Sequence, residues 1–309
     1  MEPKIVVVAN PAASQFTGGA HREVMGVISE RAEVEAIWPS SAASATESTR
    51  EKIDAGATVV VAMGGDGMVH HVLQGVVGSA ARLAIVPVGT TNVAARWLEI
   101  PTKPERAARL AVAEHEPRSI GLVRLTVERG NTSTIHYAMF SAGFGIDAAI
   151  VAEADKDPYR KYRFGSLHYA RTAIGVAFGQ FAGRRPHVTV KSDDRVAHAA
   201  AAVVQFRDIY TFFGRLKLRL TPEPPDPMTV LIIERLPRRR TPKLIAKVLR
   251  GQDLGDLTQM ETWAGVTTLQ LSAEPPVAVQ ADGEYLGMID AGVFEWAPDS
   301  LQVMAPEPA

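Results

Sequence analysis

Over roughly the first third of the chain, continuous apolar runs alternate with segments of helical periodicity. The pattern predicts strands at Lys4 to Ala9, Glu35 to Trp38, Thr58 to Met63 and Arg82 to Val86, and helices at Gly19 to Glu33, Ala45 to Ala55 and Val69 to Val77. Strands that read as unbroken Val/Ile runs are buried on both faces, which implies a parallel sheet covered by helices. After about Ser119 the texture changes. Shorter alternating segments (Leu122 to Glu128, Ile135 to Ser141, His187 to Lys191, Ala197 to Phe206, Lys217 to Thr221, Met228 to Ile233, Thr267 to Ser272, Val277 to Ala281) predict a mainly antiparallel domain. Helices of Tyr162 to Ala182 and Pro242 to Leu249 interrupt it, and Val293 to Met304 reads as a final strand pair returning to the first domain. The expected division is therefore an α/β domain over residues 1–120, a mainly antiparallel domain over 121–295, and a tail, 296–309, rejoining the first.

Composition changes this picture little. The 309 residues are 46% hydrophobic and 22% charged, with a net charge of -1, which is ordinary for a globular chain and gives no overall attraction to nucleic acid. Zero cysteines exclude disulfides and thiolate metal sites, in keeping with a reducing cytoplasm. Glu2 and the short run Ile5 to Ala9 supply neither a basic leader nor a signal-type apolar segment, and nothing reaches the ~18 apolar residues of a membrane span.

The chemistry concentrates where predicted strands end. In α/β sheets ligands bind beyond the carboxyl ends of the strands. Three of those ends carry loops: Asn10-Pro11-Ala12-Ala13-Ser14, Gly64-Gly65-Asp66-Gly67, and Pro87-Val88-Gly89-Thr90-Thr91-Asn92. Glycines in the second allow a phosphate to approach main-chain N–H groups, and the following helix presents the positive end of its dipole. Asp66 would repel that anion unless a cation or a donated proton stands between them, which leads us to expect Mg²⁺. By itself the tetrapeptide is equally an ordinary glycine-rich turn. His70-His71 invites a metal reading, but adjacent helical residues diverge by ~100° and no partner has ligand spacing.

The ordered set of these loops, with Gly143-Phe144-Gly145-Ile146-Asp147-Ala148 and Asp282-Gly283-Glu284, resembles the diacylglycerol kinase catalytic family, which includes bacterial lipid kinases and sphingoid-base kinases. Asn10-Pro11, Gly64 to Gly67, Pro87 to Asn92 with Ala95-Arg96, and Asp282 to Glu284 match its motifs in order. The resemblance implies an ATP- and Mg²⁺-dependent kinase acting on a lipid hydroxyl, with an NAD-kinase-like and diacylglycerol-kinase-like α/β domain followed by a β-sandwich. It also implies nucleotide contacts at Asn10, Pro11, Ala12, Ala13 and Ser14, at Gly64, Gly65, Asp66, Gly67, Met68, Val69 and His70, and at Gly89, Thr90 and Asn92. A hydroxyl after the second strand, Ser40 or Ser41, matches the family's threonine there. Asp226, with the carbonyls of Glu223 and Met228, is the best match to a metal-ordering aspartate. Met68 stands where the family usually has Thr, Val93 where many members have Asp, and Gly121 near another frequent Asp, so acidic support for the metal is thin.

A carboxylate at Asp282 or Glu284, after the strand Val277 to Ala281, can take the proton of an attacking hydroxyl, although Asp-Gly is also a strong hairpin turn. Asp66 is assigned to ordering phosphate and metal, and could also touch the acceptor. Gly143 and Gly145 are equally read as shaping a strand-end turn with Asp147 capping the next helix, and Thr90, Thr91 and Asn92 suit an N-cap as well as a ligand contact. Arg238-Arg239-Arg240 with Lys243, Lys247 and Arg250, and the cluster Tyr159 to Phe164, suit an anionic lipid surface, so a cytoplasmic protein peripheral to the inner face of the membrane is expected. Nucleic acid is not an expected partner; a homo-oligomer is compatible with the sequence but not specified by it. The alternatives are an NAD-kinase-like enzyme and a catalytically silent nucleotide- or lipid-binding protein.

Overall fold

A computed structural model of the chain describes residues 3–155, 185–213, 216–219, 226–235 and 257–307, with single positions between 243 and 254. The helix expected over Tyr162 to Ala182, the cluster Tyr159 to Phe164, Glu223, and most of the basic segment from Arg238 lie outside the described residues. The chain divides into two compact units, Met1–Leu122 with Ala297–Ala309, and Val123–Trp296.

In the first unit β1 (Lys4–Ala9), α1 (Gly18–Ser29), β2 (Glu33–Ile37), α2 (Ala42–Asp54), β3 (Val59–Gly64), α3 (Asp66–Val76), β4 (Arg82–Pro87), α4 (Val93–Trp97) and α5 (Pro104–Ala111) follow one another. The strands lie in the order β4-β3-β1-β2, all parallel, and the chain's last strand adds Val303 and Met304 in parallel beside Leu83 and Ala84. All six residues of β3 are buried, as are five of six in β1 and in β4. Burial on both faces is what the Val/Ile runs require. Edge strand β2 is only half-buried and carries Glu33 and Glu35.

Local signals set the helix starts. Thr17 caps α1, its hydroxyl accepting from the Ala20 amide at 3.0 Å, and Ser41 and Ser44 form a reciprocal capping box at α2. Helix α1 ends at Ser29, four residues short of the expected limit, because Glu33 already belongs to β2. Where α2 crosses α3, a Cβ on Gly75 would stand 2.6 Å from Thr49, so only glycine permits this approach.

The second unit contains β5 (Arg118–Arg129), which begins at the end of the first, β6 (Thr132–Ala138), β7 (Ser141–Phe144), α6 (Ile146–Asp155), β8 (Val188–Ser192), β9 (Arg195–Ala199), β10 (Ala201–Gln205), β11 (Thr211–Phe213), β12 (Leu216–Leu218), β13 (Met228–Ile233), β14 (Met260–Val266), β15 (Thr268–Ala281) and β16 (Glu284–Met304). Strands run β14-β13-β10-β7-β15-β16, each antiparallel to its neighbour; β8 and β9 extend from β15, and β5 and β6 from β16. A core containing Leu125, Phe144, Val204, Val230, Trp263, Val279 and Phe294 lies on one face of β10 and β13. A smaller cluster with Ile146, Val203, Leu231, Leu254 and Leu257 lies on the other.

Several expected boundaries shift. The single strand expected over Ala197 to Phe206 is two, interrupted at Ala200, whose amide bonds the Ile233 carbonyl at 2.9 Å. Thr267 to Ser272 and Val277 to Ala281 join into β15 across an irregularity in pairing, and the expected terminal pair is one long strand, β16.

Candidate functional site

The three loops meet at the carboxyl edge of the first unit's sheet, and the meeting is made by backbone. The Val88 amide donates to the Gly64 carbonyl at 3.0 Å, the Gln15 amide to the Val88 carbonyl at 2.9 Å, and the Asn10 amide to the Met63 carbonyl at 3.0 Å. Gly65 and Gly89 come so close that a Cβ on Gly89 would lie 2.5 Å from the Gly65 Cα. A Cβ on Gly64 would strike the Met68 side chain at 2.4 Å. These glycines are therefore required by packing of loop on loop, a constraint independent of any ligand.

Side chains complete the arrangement. Asn10 Oδ1 accepts from the Ala12 amide at 2.9 Å, fixing the turn of the first loop, and the Ser14 and Thr90 hydroxyls bond each other at 2.9 Å. Asn92 stands at the N-cap position of α4, but its φ is +48° and its side chain turns back to Gly89, accepting from the amide at 3.1 Å and donating to the carbonyl at 2.8 Å. The hydrogen-bonding cap of α4 is instead Asp66, whose Oδ1 accepts from the Ala94 amide at 3.1 Å. Burial lowers the Arg96 pKa, and the Asp66 charge opposes that shift. The positive charge expected beside Asp66 is thus supplied in part by Arg96 and by the N-terminus of α4.

Helix α3 begins at Asp66 with Gly65 as N-cap and no side-chain cap. Its first turn, including Gly67, Met68 and Val69, is directed by β3 to the loop edge, where an uncapped helix start attracts anionic oxygens. His70 is buried, within 3.5 Å of the Gln74 amide nitrogen, and meets His71 edge to face, so the pair diverges as helical geometry demands. Ser41 is consumed by the capping box of α2, leaving Ser40, which is exposed, as the hydroxyl after β2. Pro11 and Ala12 are exposed and Ala13 partly so.

The other candidate groups lie in the second unit. Asp282 and Gly283, with φ of +53° and +79°, form the two-residue turn between β15 and β16. Asp282 is 4% exposed, and its carboxylate accepts from the amides of Met139 at 2.8 Å, Phe140 at 2.8 Å and Ser141 at 3.1 Å. It anchors the β6–β7 connection. Glu284, partly exposed, is the first residue of β16. Arg207 holds the same connection from the other side, donating to the Met139 carbonyl at 2.8 Å.

Asp147 does not serve as a helix cap. It sits in the first turn of α6, where its carboxylate accepts from the Tyr210 hydroxyl and the Gln280 amide, and desolvation raises its pKa to about 6 against the lowering effect of those two bonds. Gly143 lies within β7 and makes room for this carboxylate, since a Cβ there would stand 2.5 Å from Asp147 Oδ2. Tyr210 and Gln280 belong to no motif, and only the two glycines before Asp147 signalled a crowded side chain.

Of the expected metal site, Asp226 is exposed, Met228, whose carbonyl was the expected ligand, begins the core strand β13, and Glu223 lies outside the described residues; among the described residues no group of three His, Asp or Glu side chains suited to a metal occurs. Among the described residues the loop edge offers the main-chain amides of the α3 start, which suit a nucleotide's phosphates.

Residues 4–125 match the family described as "Diacylglycerol kinase catalytic domain", and residues 140–305 match "YegS C-terminal NAD kinase beta sandwich-like domain". The chain belongs to the diacylglycerol kinase catalytic-domain family. Among this family's curated members, a "Probable lipid kinase YegS-like" of Stenotrophomonas maltophilia is 31% identical over 148 residues, which cover 46% of this chain and 45% of that one, so the match spans about half the relative's length. A solved diacylglycerol kinase from Bacillus anthracis shares the fold with a TM-score of 0.72 at 17% identity, covering 99% of this chain and 98% of that one. An NAD kinase from Archaeoglobus fulgidus, solved with ATP, gives a TM-score of 0.53 at 12% identity over 98% and 94% of the chains. The fold of the family is thus an α/β unit with a parallel sheet and a β-sandwich, as the motifs imply. Among the described residues no helix is long and apolar enough to cross a membrane.

Proposed function

We propose that the protein is a lipid kinase that transfers the γ-phosphate of ATP to a hydroxyl of a lipid such as diacylglycerol. The observation that carries this reading is the backbone contact of Gly65 with Gly89 beside the start of α3, which with the bonds of Asn10 to Met63 and of Gln15 to Val88 holds the loops after β1, β3 and β4 at one edge. Asn10 to Ser14, Ser40, Gly64 to His70, and Gly89, Thr90 and Asn92 hold the nucleotide in this reading. Main-chain N–H groups of the α3 start neutralise phosphate charge without a side chain that must be desolvated.

The acceptor oxygen attacks the γ-phosphorus, the bond to the β–γ bridging oxygen breaks, ADP leaves, and the hydroxyl proton passes to a carboxylate. That carboxylate is Glu284, because the neighbouring Asp282 is committed to three amides. Asp66 orders the loop edge through Ala94 and Arg96. Mg²⁺ enters with ATP, and no step is assigned to it.

Transfer of radiolabelled γ-phosphate to a panel of lipids in mixed micelles, with NAD as a competing acceptor, tests the proposal. Labelled lipid supports it. Label in NAD moves the protein to the NAD-kinase reading, and ATP binding without label in any acceptor makes it a silent binder.

A further inference from the structure

Asp147 and Gln280 have no part in the proposed transfer, yet together they connect to the turn that bears Glu284. Gln280 is 1% exposed; its Nε2 donates to Asp147 Oδ2 and its Oε1 accepts from the Gly283 amide at 2.8 Å. An ionised carboxylate only accepts hydrogen bonds, so Asp147 admits one orientation of the Gln280 amide, with the NH₂ toward itself. The carbonyl oxygen then faces Gly283. With the amide reversed, its NH₂ would oppose the Gly283 N–H, donor against donor, and the turn would lose its tether. Tyr210 supplies the second donor to Asp147, its hydroxyl bonding the other carboxylate oxygen, Oδ1.

The contacts around this chain of bonds leave little slack. Gly143 is without a Cβ where Asp147 Oδ2 needs the space, and Gly145, at φ +78°, would bring a Cβ within 2.4 Å of the Ala200 carbonyl. Gly283 is the residue immediately before Glu284, so a displacement of its N–H moves the Glu284 backbone directly. Asp282 fixes the turn from the other side through residues 139–141.

We infer that Asp147 and Gln280 are positioning residues, a hydrogen-bonded strut that sets the direction of the Glu284 carboxylate through the Gly283 amide. The inference rests on the reading of Glu284 as the base. Its chemical signature is complementarity: one donor and one acceptor must meet between 147 and 280, and an acceptor must face the Gly283 amide.

Swapping the two functional groups tests that complementarity. Read at about pH 9, so that the two carboxyls do not share a proton, Gln280→Glu sets acceptor against acceptor, whereas Asp147→Asn with Gln280→Glu restores a donor facing an acceptor and leaves a carboxylate oxygen for Gly283. Transfer to lipid should fall at least ~10-fold in kcat for Gln280→Glu, with KM for ATP unchanged, and return to within ~3-fold of wild type in the double variant. A wild-type rate in Gln280→Glu, or a double variant that melts like wild type yet is no faster than the single, overturns the strut. Should the double variant not fold, Asp147→Asn alone decides: its one oxygen accepts from Gln280, its NH₂ turns to the Tyr210 oxygen, both bonds become neutral, and kcat should fall ~3-fold, an unchanged rate overturning the inference. Glu284→Gln run alongside separates the two readings. A wild-type rate there removes Glu284 as the base, whereas an inactive Glu284→Gln without rescue in the swap removes only the strut.

Discussion

The loop edge of the first unit and the Asp282–Glu284 turn of the second build polar sites by opposite means. At the loop edge, glycines bring backbone to backbone, and the groups offered to a ligand are main-chain amides at the start of α3. At the turn, side chains remote in sequence do the work: Asp282 reaches residues 139–141, and Gln280 joins Asp147 to Gly283. A site made of backbone tolerates changes in side-chain charge but not an added Cβ. A site made of side-chain bonds depends in addition on which groups donate and which accept.

The largest effect should come from Asp282→Ala. It would leave the buried amides of Met139, Phe140 and Ser141 without their acceptor, at a cost of roughly 3–5 kcal/mol. Chemical denaturation reads this directly, and a loss below about 1 kcal/mol would show that the carboxylate is not the anchor described. Smaller, and specific to the strut, is the effect of pH on Asp147→Asn. Folding raises the Asp147 pKa from 3.8 to about 6, so the stability this carboxyl contributes is full below about 3.8 and is lost as pH rises through about 6. The Asn variant carries no such dependence. Its melting temperature relative to wild type should therefore increase between pH 5 and pH 8, and a gap that stays flat or shrinks would contradict the burial of an ionising group there. Smallest is Ser41→Ala, which removes one half of a capping box at α2 and should cost about 1 kcal/mol without altering ATP affinity, since Ser40 rather than Ser41 is assigned to the nucleotide. A fall in ATP affinity would reverse that assignment.

The same contrast explains what the sequence disclosed. Strands β1, β3 and β4 and the loops that follow them were legible because each is contiguous, and their apolar runs and glycines carry local conformational meaning. The contact of Gly65 with Gly89 was not, since nothing in either loop names the other. Nor was the transfer of capping at α4 from Asn92 to Asp66, which depends on α3 and α4 starting side by side. In the second unit the turn at Asp282-Gly283 was readable, but Tyr210 and Gln280 are ordinary residues in their local context and gain their roles only from pairing of β7 with β10 and β15. Strand β14 and helix α5 carried no expectation, the first because Met260 to Val266 lacks clean alternation, the second because its buried side is mostly alanine.

The central claim is a division of labour, with nucleotide held by the backbone of the first unit and proton removal performed from the turn of the second. The measurement that tests it most directly is ATP affinity by calorimetry paired with the rate of lipid phosphorylation, in Gly89→Ala and Glu284→Gln. Gly89→Ala should weaken ATP binding at least ~10-fold, because its Cβ forces Gly65 away; Glu284→Gln should bind ATP as wild type does while transferring phosphate ~100-fold more slowly or worse. Wild-type ATP affinity in the folded Gly89→Ala variant, or wild-type transfer in Glu284→Gln, would contradict the account.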